Sequence, residues 1–267
     1  MSFLHLLMLA LIQGITEFLP VSSSGHLILF PVLLGIEDQG VVLDDAVHVG
    51  ALCAVIIYFR SEVMRAIRGG FRLLRGDFHS PDARLALLLI LSTIPVVLFG
   101  FVLKLTGFAE AMRSIALIGW TMLIFGLVLY WADRTGAEVK EASDWSIRDA
   151  IIMGLWQAVA LIPGTSRSGI TITGARALGY NREDAARLAM LMSIPTIIAS
   201  GVLLAGDVVS EANWQLARDA GLAALLAFFA ALAALALMMR LLKTISFTPY
   251  VIYRVFLGLF LLWVAYS

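Results

Sequence analysis

Long apolar runs separated by short charged segments constrain this chain more than any other feature of its sequence. Six runs are close to the roughly 20 residues that an α-helix needs to cross a bilayer. They cover residues 43–60, 84–105, 112–132, 185–205, 217–239 and 248–266. Only 14% of the 267 residues are charged, against about a quarter in a soluble domain. The sequence therefore predicts an all-α polytopic membrane protein, with residues 1–267 forming a single integral membrane domain.

Net charge and cysteine content exclude several other classes of site. The formal net charge is zero, so bulk charge indicates no nucleic-acid or acidic partner. Cys53 is the only cysteine, which excludes an intramolecular disulfide and argues against a thiolate metal site. Its apolar neighbours predict a small packing residue. Residues 1–12 contain no Lys or Arg, so the N-terminus is predicted to belong to the mature protein rather than to a signal peptide.

The distribution of basic residues predicts the orientation of the spans. The segment 60–84 is rich in arginine, and threading the spans from it gives one strongly basic side. That side also receives Arg134, Lys140, Arg148, Arg176, Arg182, Arg187, Arg240 and Lys243. The opposite side receives Glu37, Asp38, Asp207 and Glu211, with Lys104 and Arg113 as its basic exceptions. The positive-inside rule makes the arginine-rich side cytoplasmic, and each arginine alone is interpreted as a headgroup anchor. Residues 64–75 are predicted to form an interfacial helix along the inner surface.

Two further apolar stretches, residues 3–34 and 149–179, are broken in the middle by proline, glycine and serine. Each half is short for a span, which is typical of re-entrant segments. Aligning Gln13 with Gln157 places VSSSG (21–25) on TSRSG (165–169), and LSTIP (91–95) resembles LMSIP (191–195). Three spans separate the broken stretches, so the two approach the membrane from opposite faces. This pattern predicts an inverted-topology repeat with polar sites near the midplane.

The two serine-rich loops contain groups that suit phosphate chemistry. Each loop is predicted to begin a half-helix, whose N-terminal N–H groups and nearby hydroxyls favour an anion, phosphate in particular. Glu17 lies four residues after Gln13 and therefore projects from the same helix face. Arg167 could donate a planar fork to phosphate oxygens. Charged groups at this depth are usually paired and indicate a functional site.

Several roles stay open for these residues. Glu17 could hold a divalent cation or orient His26, which could act as general acid or base for an attacking serine. The structural alternatives are that the serines cap helices, that His26 is a hydrogen-bonded structural group, and that Glu17 and Arg167 form a structural ion pair. Gln13 and Gln157 could satisfy backbone carbonyls at the breaks. The concentration of polar groups in two equivalent loops favours function.

The other polar residues are expected to lie away from the site. His48, with Asp44 and Asp45, is predicted to lie in the outer headgroup zone. Tyr253 and Arg254 are predicted to extend toward the inner interface. Secondary transporters share the plan of inverted repeats with broken helices, so these residues alone leave open whether a phosphate-bearing lipid or anion is hydrolysed or carried. A structural or channel protein would explain neither Glu17 nor Arg167 within the membrane.

The segments QGITEFLPVSSSGH (13–26) and PGTSRSGIT (163–171) carry a specific resemblance. Over essentially its whole length, the chain resembles the undecaprenyl-diphosphate phosphatase family, also called the bacitracin resistance protein family. The first family pattern matches at Gln13, Glu17 and His26. The second matches at Pro163, Gly164, Ser166, Arg167, Ser168 and Thr171.

The resemblance implies hydrolysis of the terminal phosphate of undecaprenyl diphosphate, which gives the monophosphate carrier for cell-wall synthesis. It implies a multi-pass enzyme of the bacterial inner membrane with two re-entrant helix pairs and a site facing the periplasm. It also implies dependence on a divalent cation, Mg²⁺ or Ca²⁺. Its partners would be the polyprenyl diphosphate substrate and membrane lipids, and family members can form homodimers. The alternative is a polyprenyl-phosphate flippase or an anion or lipid transporter using the same site.

Carried over by position, the resemblance assigns the residue roles. Glu17, Ser23, His26 and Arg167 would be catalytic, and Glu17 would also be the metal ligand. The substrate-binding residues would be Gln13, Ser22, Ser24, Gly25, Gly164, Ser166, Ser168, Gly169 and Thr171. Many relatives have glutamate at position 13, so metal binding by Gln13 stays open. The nucleophile, which could be Ser23, His26 or water, stays open as well.

Overall fold

The chain folds into α-helices joined by short loops. The computed structural model describes residues 2–35, 40–107, 112, 114–209 and 214–267. Eleven α-helices lie within these ranges. They are α1 (Phe3–Thr16), α2 (Ser23–Leu34), α3 (Val41–Tyr58), α4 (Arg60–Leu74), α5 (Pro81–Thr106), α6 (Ile115–Thr135), α7 (Ile147–Val159), α8 (Arg167–Ala177), α9 (Arg182–Val209), α10 (Trp214–Leu241) and α11 (Thr248–Tyr266). Across the described residues, the only β-type pairing is an isolated bridge between Lys140 and Tyr180, which confirms the predicted all-α class.

Five of these helices, α5, α6, α9, α10 and α11, are long and apolar enough to cross a membrane. A sixth candidate is the pair α3 and α4, which is bent by 91° at the break between Tyr58 and Arg60. The prediction of about six spans is therefore confirmed. The bend separates the apolar α3 from the arginine-rich α4, as an interfacial helix over 64–75 requires. The position of α4 on the inner surface stays a prediction, and Glu37, Asp38, Arg113 and Glu211 lie outside the described residues.

The two broken stretches fold as helix pairs, α1 with α2 and α7 with α8. α1 packs against α10, and α7 packs against α5, while α6 and α11 pack against each other. In an inverted repeat α1 corresponds to α7, so the helices that pack against them should correspond as well. The helix α5 is therefore the counterpart of α10. The motifs at 91–95 and 191–195 lie instead in α5 and α9, so their similarity does not mark equivalent positions. The course of the two pairs through the membrane stays a prediction.

The second helix pair lies at the centre of the main core. Residues 168–176 of α8 are all buried, and its C-terminal Arg176 is fully enclosed. The Arg176 guanidinium donates to the Asp133 carboxylate at 3.2 Å and to the Asp133 backbone carbonyl at 2.8 Å. Arg182 donates to the same carboxylate at 2.7 Å. The interpretation of Arg176 as a headgroup anchor is wrong, because this arginine ties α8 to the end of α6 inside the protein.

Cys53 also differs from its predicted environment. The prediction of a small packing residue is wrong, because its side chain is exposed on α3. Other apolar side chains are exposed as well, and those of Phe99, Trp131 and Phe256 are more than half exposed. Since lipid accepts apolar surface, an apolar run does not indicate which of its residues face the protein.

Glycine permits a close contact between α3 and α10. A Cβ atom added to Gly50 of α3 would lie 2.1 Å from the backbone oxygen of Ala224 in α10. Small residues at such contacts let helix backbones approach closely, which drives helix association in membranes. On the same helix α10, a Cβ atom on Gly221 would meet nothing within 4 Å.

We therefore expect Gly50→Ala to lower the free energy of unfolding by about 1–3 kcal/mol through overpacking. Gly221→Ala is the matched control and should leave stability unchanged or raise it by up to about 1 kcal/mol. Thermal unfolding of both variants in detergent measures the difference. Equal melting temperatures of the two variants would mean that α3 and α10 accommodate the added methyl group with no loss of stability.

Candidate active site

The two serine-rich loops share an unusual backbone conformation. Ser22 and Ser166, which immediately precede α2 and α8, both have φ of 71°. A non-glycine residue in this region is strained by about 1–3 kcal/mol and persists only where its surroundings enforce it. The hydroxyl of each lies 3.2 Å from that of the serine two positions later, Ser24 or Ser168. The two loops, paired by their sequence similarity, thus have the same local geometry.

The loops contact each other directly. The backbone N–H of Gly164 donates to the Ser24 hydroxyl at 3.4 Å, and the Ser168 hydroxyl donates to the Leu19 carbonyl at 3.1 Å. Thr121 of α6 donates to the Pro163 carbonyl at 2.6 Å and supports the second loop from behind. Two segments far apart in sequence therefore form one polar site inside the helical assembly.

Glu17 is the centre of this site. Its side chain is only 3% exposed and forms an ion pair with Arg167 of the opposite loop. Its other carboxylate oxygen accepts hydrogen bonds from Gln13 at 2.7 Å and from the Ser23 hydroxyl at 2.8 Å. Three of the four residues predicted to be catalytic are therefore in direct contact. The structural alternative that Gln13 and Gln157 satisfy backbone carbonyls is wrong. The Gln13 amide donates to Glu17, and the Gln157 amide donates to the Thr196 hydroxyl at 2.9 Å.

His26, the fourth predicted catalytic residue, has different partners. Its Nδ1 lies 2.7 Å from the Ser22 carbonyl, and its Nε2 lies 2.6 Å from the Tyr253 hydroxyl. The two rings are stacked with an interplanar angle of 3°. The hypothesis that Glu17 orients His26 is therefore wrong, because Glu17 binds Ser23 and Tyr253 binds His26.

Arg254 supports the second loop rather than reaching an interface. It is 0% exposed, and its guanidinium donates to the carbonyls of Met122, Gly164 and Thr165 at 3.2, 3.3 and 2.9 Å. A broken helix leaves carbonyls that need donors, since lipid offers none. That need explains why the predicted extension of Arg254 toward the inner interface is wrong. The position of Tyr253 relative to that interface stays a prediction.

His48 lies beside the site, although its sequence context indicates the headgroup zone. Its Nε2 is 3.7 Å from the Glu17 carboxylate, and its Nδ1 is 2.7 Å from the Asp44 carbonyl. A carbonyl oxygen only accepts, so Nδ1 carries the hydrogen and Nε2 faces Glu17. The position of His48 is set by the packing of α3, and no spacing relates residue 48 to residue 17.

The side chains predicted to be catalytic or to bind substrate divide into two groups by their exposure. Ser23 and Arg167 are half-buried, and Ser24 is exposed, so these three can meet a ligand from outside. The hydroxyls of Ser166, Ser168 and Thr171 are buried and bonded within the loops. Ser166 accepts from the Gly169 N–H at 3.2 Å, and Thr171 donates to the Arg167 carbonyl at 2.9 Å. Their contact with phosphate stays a prediction.

The predicted glycines face protein atoms. A Cβ atom on Gly25 would lie 3.2 Å from the Met122 sulfur, and one on Gly169 would lie 2.9 Å from an Arg254 nitrogen. Gly164 has φ of 84°, and a Cβ atom there would lie 2.2 Å from the Thr121 hydroxyl. These glycines allow the loops to approach α6 and α11. Any contact of theirs with substrate would use backbone N–H groups.

The donor atoms around Glu17 suit a hard divalent cation. The side-chain oxygen of Gln13 is buried and has no hydrogen-bond partner among the described residues. The amide nitrogen of the same side chain donates to the Glu17 carboxylate, which places the free oxygen near Glu17. Carboxylate and amide oxygens are ligands for Mg²⁺ and Ca²⁺. The described part of the chain has no group of three or more His, Cys, Asp or Glu arranged for a metal, so substrate oxygens would have to complete the coordination.

Comparison with known proteins identifies the family. The family described as bacitracin resistance protein BacA matches residues 6–260. The chain is 67% identical to a protein of Ruegeria pomeroyi named undecaprenyl-diphosphatase, and 66% identical to one of Jannaschia sp. with the same name, over the full length of each. A protein of Erythrobacter litoralis with that name is 44% identical over 98% of this chain and 99% of its own length. This chain belongs to the bacitracin resistance protein BacA family.

Proposed function

We propose that this protein hydrolyses the terminal phosphate of undecaprenyl diphosphate and so returns undecaprenyl phosphate, the lipid carrier, to cell-wall synthesis. The observation that carries the proposal is the contact of Ser23, Glu17 and Arg167 where the two loops meet. The names of the full-length relatives support the same reaction. Carrying the lipid across the membrane would require phosphate binding, but it has no use for a serine hydroxyl bonded to a buried carboxylate.

The geometry assigns a step to each of these three side chains. Arg167 binds oxygens of the diphosphate with its planar fork, and the N–H groups that begin α2 and α8 assist it. When Arg167 turns to phosphate, the Glu17 carboxylate is free to accept the Ser23 proton. The Ser23 oxygen then bonds to the terminal phosphorus while the bond to the bridging oxygen breaks, and undecaprenyl phosphate leaves. Glu17 passes its proton to the departing oxygen. Water then attacks the phosphorus held on Ser23, its proton passes through Glu17 to the Ser23 oxygen as the bond from that oxygen to phosphorus breaks, and inorganic phosphate leaves.

Ser23 is the proposed nucleophile because of the hydrogen bonds around it. Its hydroxyl already donates to a carboxylate, whereas both ring nitrogens of His26 are held by Ser22 and Tyr253. Glu17 and the Gln13 side-chain oxygen would hold a divalent cation, Mg²⁺ or Ca²⁺. When bound, this cation would supply positive charge to the diphosphate.

We also propose the cellular setting. The protein is a multi-pass membrane protein, and its arginine-rich segments support an inner-membrane position with α4 on the cytoplasmic side and the site facing the periplasm. Membrane lipids and a second copy of the chain are the proposed partners.

Phosphate release by the purified protein in detergent tests the proposal. Wild type should release phosphate from undecaprenyl diphosphate or farnesyl diphosphate, and chelation followed by return of Mg²⁺ or Ca²⁺ should abolish and then restore the activity. Ser23→Ala should lower kcat at least about 10³-fold, because a nucleophile cannot be replaced by its neighbours. Ser114→Ala, which alters a serine that caps α6, is the matched control.

Each outcome of this assay decides one element of the proposal. No release by the folded wild type with either metal would overturn the enzymatic function. Near-normal release by Ser23→Ala would transfer the attack to water. Full activity after complete chelation would exclude the divalent cation from the proposed mechanism.

A further inference from the structure

Two neighbouring residues of the last helix hold the two strained loops. Arg254 binds the carbonyls of Gly164 and Thr165 in the second loop. Tyr253 reaches the other loop and binds Nε2 of His26 at 2.6 Å. Because Arg254 is enclosed on all sides, it fixes the position of its neighbour Tyr253 in α11. One dipeptide therefore contacts both halves of the site.

The two loops differ in how their strained serine is stabilised. In the second loop the Ser166 hydroxyl accepts the Gly169 N–H, which is an ordinary N-cap hydrogen bond. Ser22 has the same φ but makes no such cap hydrogen bond. Its backbone carbonyl is bound instead by the His26 ring at 2.7 Å. The first loop thus relies on an imidazole where the second uses a cap and an arginine.

The hydrogen-bond chemistry determines how His26 can act. Since a carbonyl oxygen only accepts, Nδ1 of His26 carries a hydrogen. In the neutral ring Nε2 then accepts a hydrogen bond from the Tyr253 hydroxyl, and in the charged ring it donates one to the Tyr253 oxygen. In either state Tyr253 completes the hydrogen bonds of His26 and fixes the ring plane, which the parallel stacking reinforces.

We propose that Tyr253 is a positioning residue for Ser23 and acts through His26. Tyr253 holds the His26 ring, the ring holds the Ser22 carbonyl, and the strained Ser22 directs the next residue, Ser23, toward Glu17. This inference rests on the proposed phosphatase function. It gives His26 a structural task in catalysis that requires no proton transfer to substrate.

The test is a double-mutant cycle on phosphate release. Tyr253→Phe keeps the stacked ring and removes only the hydroxyl. We expect it to lower kcat about tenfold with little change in KM, because misplacing a reacting group by less than an ångström is costly. In a His26→Ala background the same substitution should change kcat less than about twofold, since its route of action is gone. Tyr250→Phe, on the same helix, is the matched control and should resemble wild type.

The contrary results are distinct. An equal loss from Tyr253→Phe in both backgrounds, or no loss in wild type, would overturn the inference while leaving the phosphatase function intact. If the wild-type protein released no phosphate, the result would count against the proposed phosphatase function instead.

A spectroscopic measurement supports the cycle if His26→Ala is too slow to assay. In protein labelled with ¹⁵N-histidine, the Nε2 resonance of His26, assigned by its loss in His26→Ala, should move in Tyr253→Phe and stay in Tyr250→Phe. An unmoved resonance would show that the hydroxyl does not bind His26.

Discussion

Arg167→Ala should lower kcat/KM for undecaprenyl diphosphate by about 10²–10³-fold or more while the protein stays folded. The substitution has two effects that add. It removes the fork that binds the phosphate oxygens, and it leaves the Glu17 carboxylate, whose side chain is 3% exposed, without its ion-pair partner. In the wild type the guanidinium leaves Glu17 only when phosphate takes it up. Without Arg167 the buried carboxylate has no partner before substrate binds, so Glu17 would already hold a proton and could not accept the one from Ser23.

Two further variants separate these effects. Arg167→Lys keeps the positive charge but loses the planar fork, so we expect an intermediate loss of about 10–100-fold. Arg148→Ala removes an exposed arginine at the start of α7 and should leave the rate unchanged. Near-normal kcat/KM in Arg167→Ala would exclude this residue from the mechanism and reduce its contact with Glu17 to a structural ion pair.

Arg254→Met should destabilise the protein more than Gly50→Ala does. Methionine fills a similar volume but leaves the loop carbonyls of Gly164 and Thr165 without the Arg254 donor in a site that excludes water. Each buried polar group without a partner costs about 1–3 kcal/mol, so the free energy of unfolding should fall by about 2–6 kcal/mol. The second loop should lose its conformation first, and activity should fall with it.

Unfolding in detergent, monitored by circular dichroism, measures this effect. Arg240→Met is the matched control, because Arg240 is exposed at the end of α10. Equal stability of the two variants would mean that the loop carbonyls find other donors and that Arg254 is dispensable for the fold.

Much of the fold can be predicted because its signals are local. A span is recognised by about 20 apolar residues in succession, and a break by the proline, glycine and serine within it. Glu17 and Arg167 are identifiable because a charge within such a stretch is costly unless it has a function. The structure adds that these two charges from different stretches form a pair with each other.

The supporting contacts cannot be predicted because they join residues remote in sequence. His26 and Tyr253 are 227 positions apart, and their contact depends on how α2 and α11 pack. Arg254 and Arg176 lie near helix ends, where an arginine usually extends to the headgroups. Only the three-dimensional structure shows that both are enclosed and bind backbone carbonyls. The exposure of Cys53 escapes prediction for a related reason, since lipid and protein neighbours favour the same apolar residues.

The shared conformation of the two loops has a consequence for the ancestry of such a chain. In the alignment of the halves, Ser23 corresponds to Arg167, and Glu17 corresponds to Leu161. A symmetric dimer of the first half would place two carboxylates at the meeting point with no cation from either loop, and a dimer of the second half would place two guanidinium groups there with no carboxylate. Either assembly would bury like charges. Duplicated halves could therefore form this centre only after diverging, so that a symmetric backbone supports a single, asymmetric reaction centre per chain.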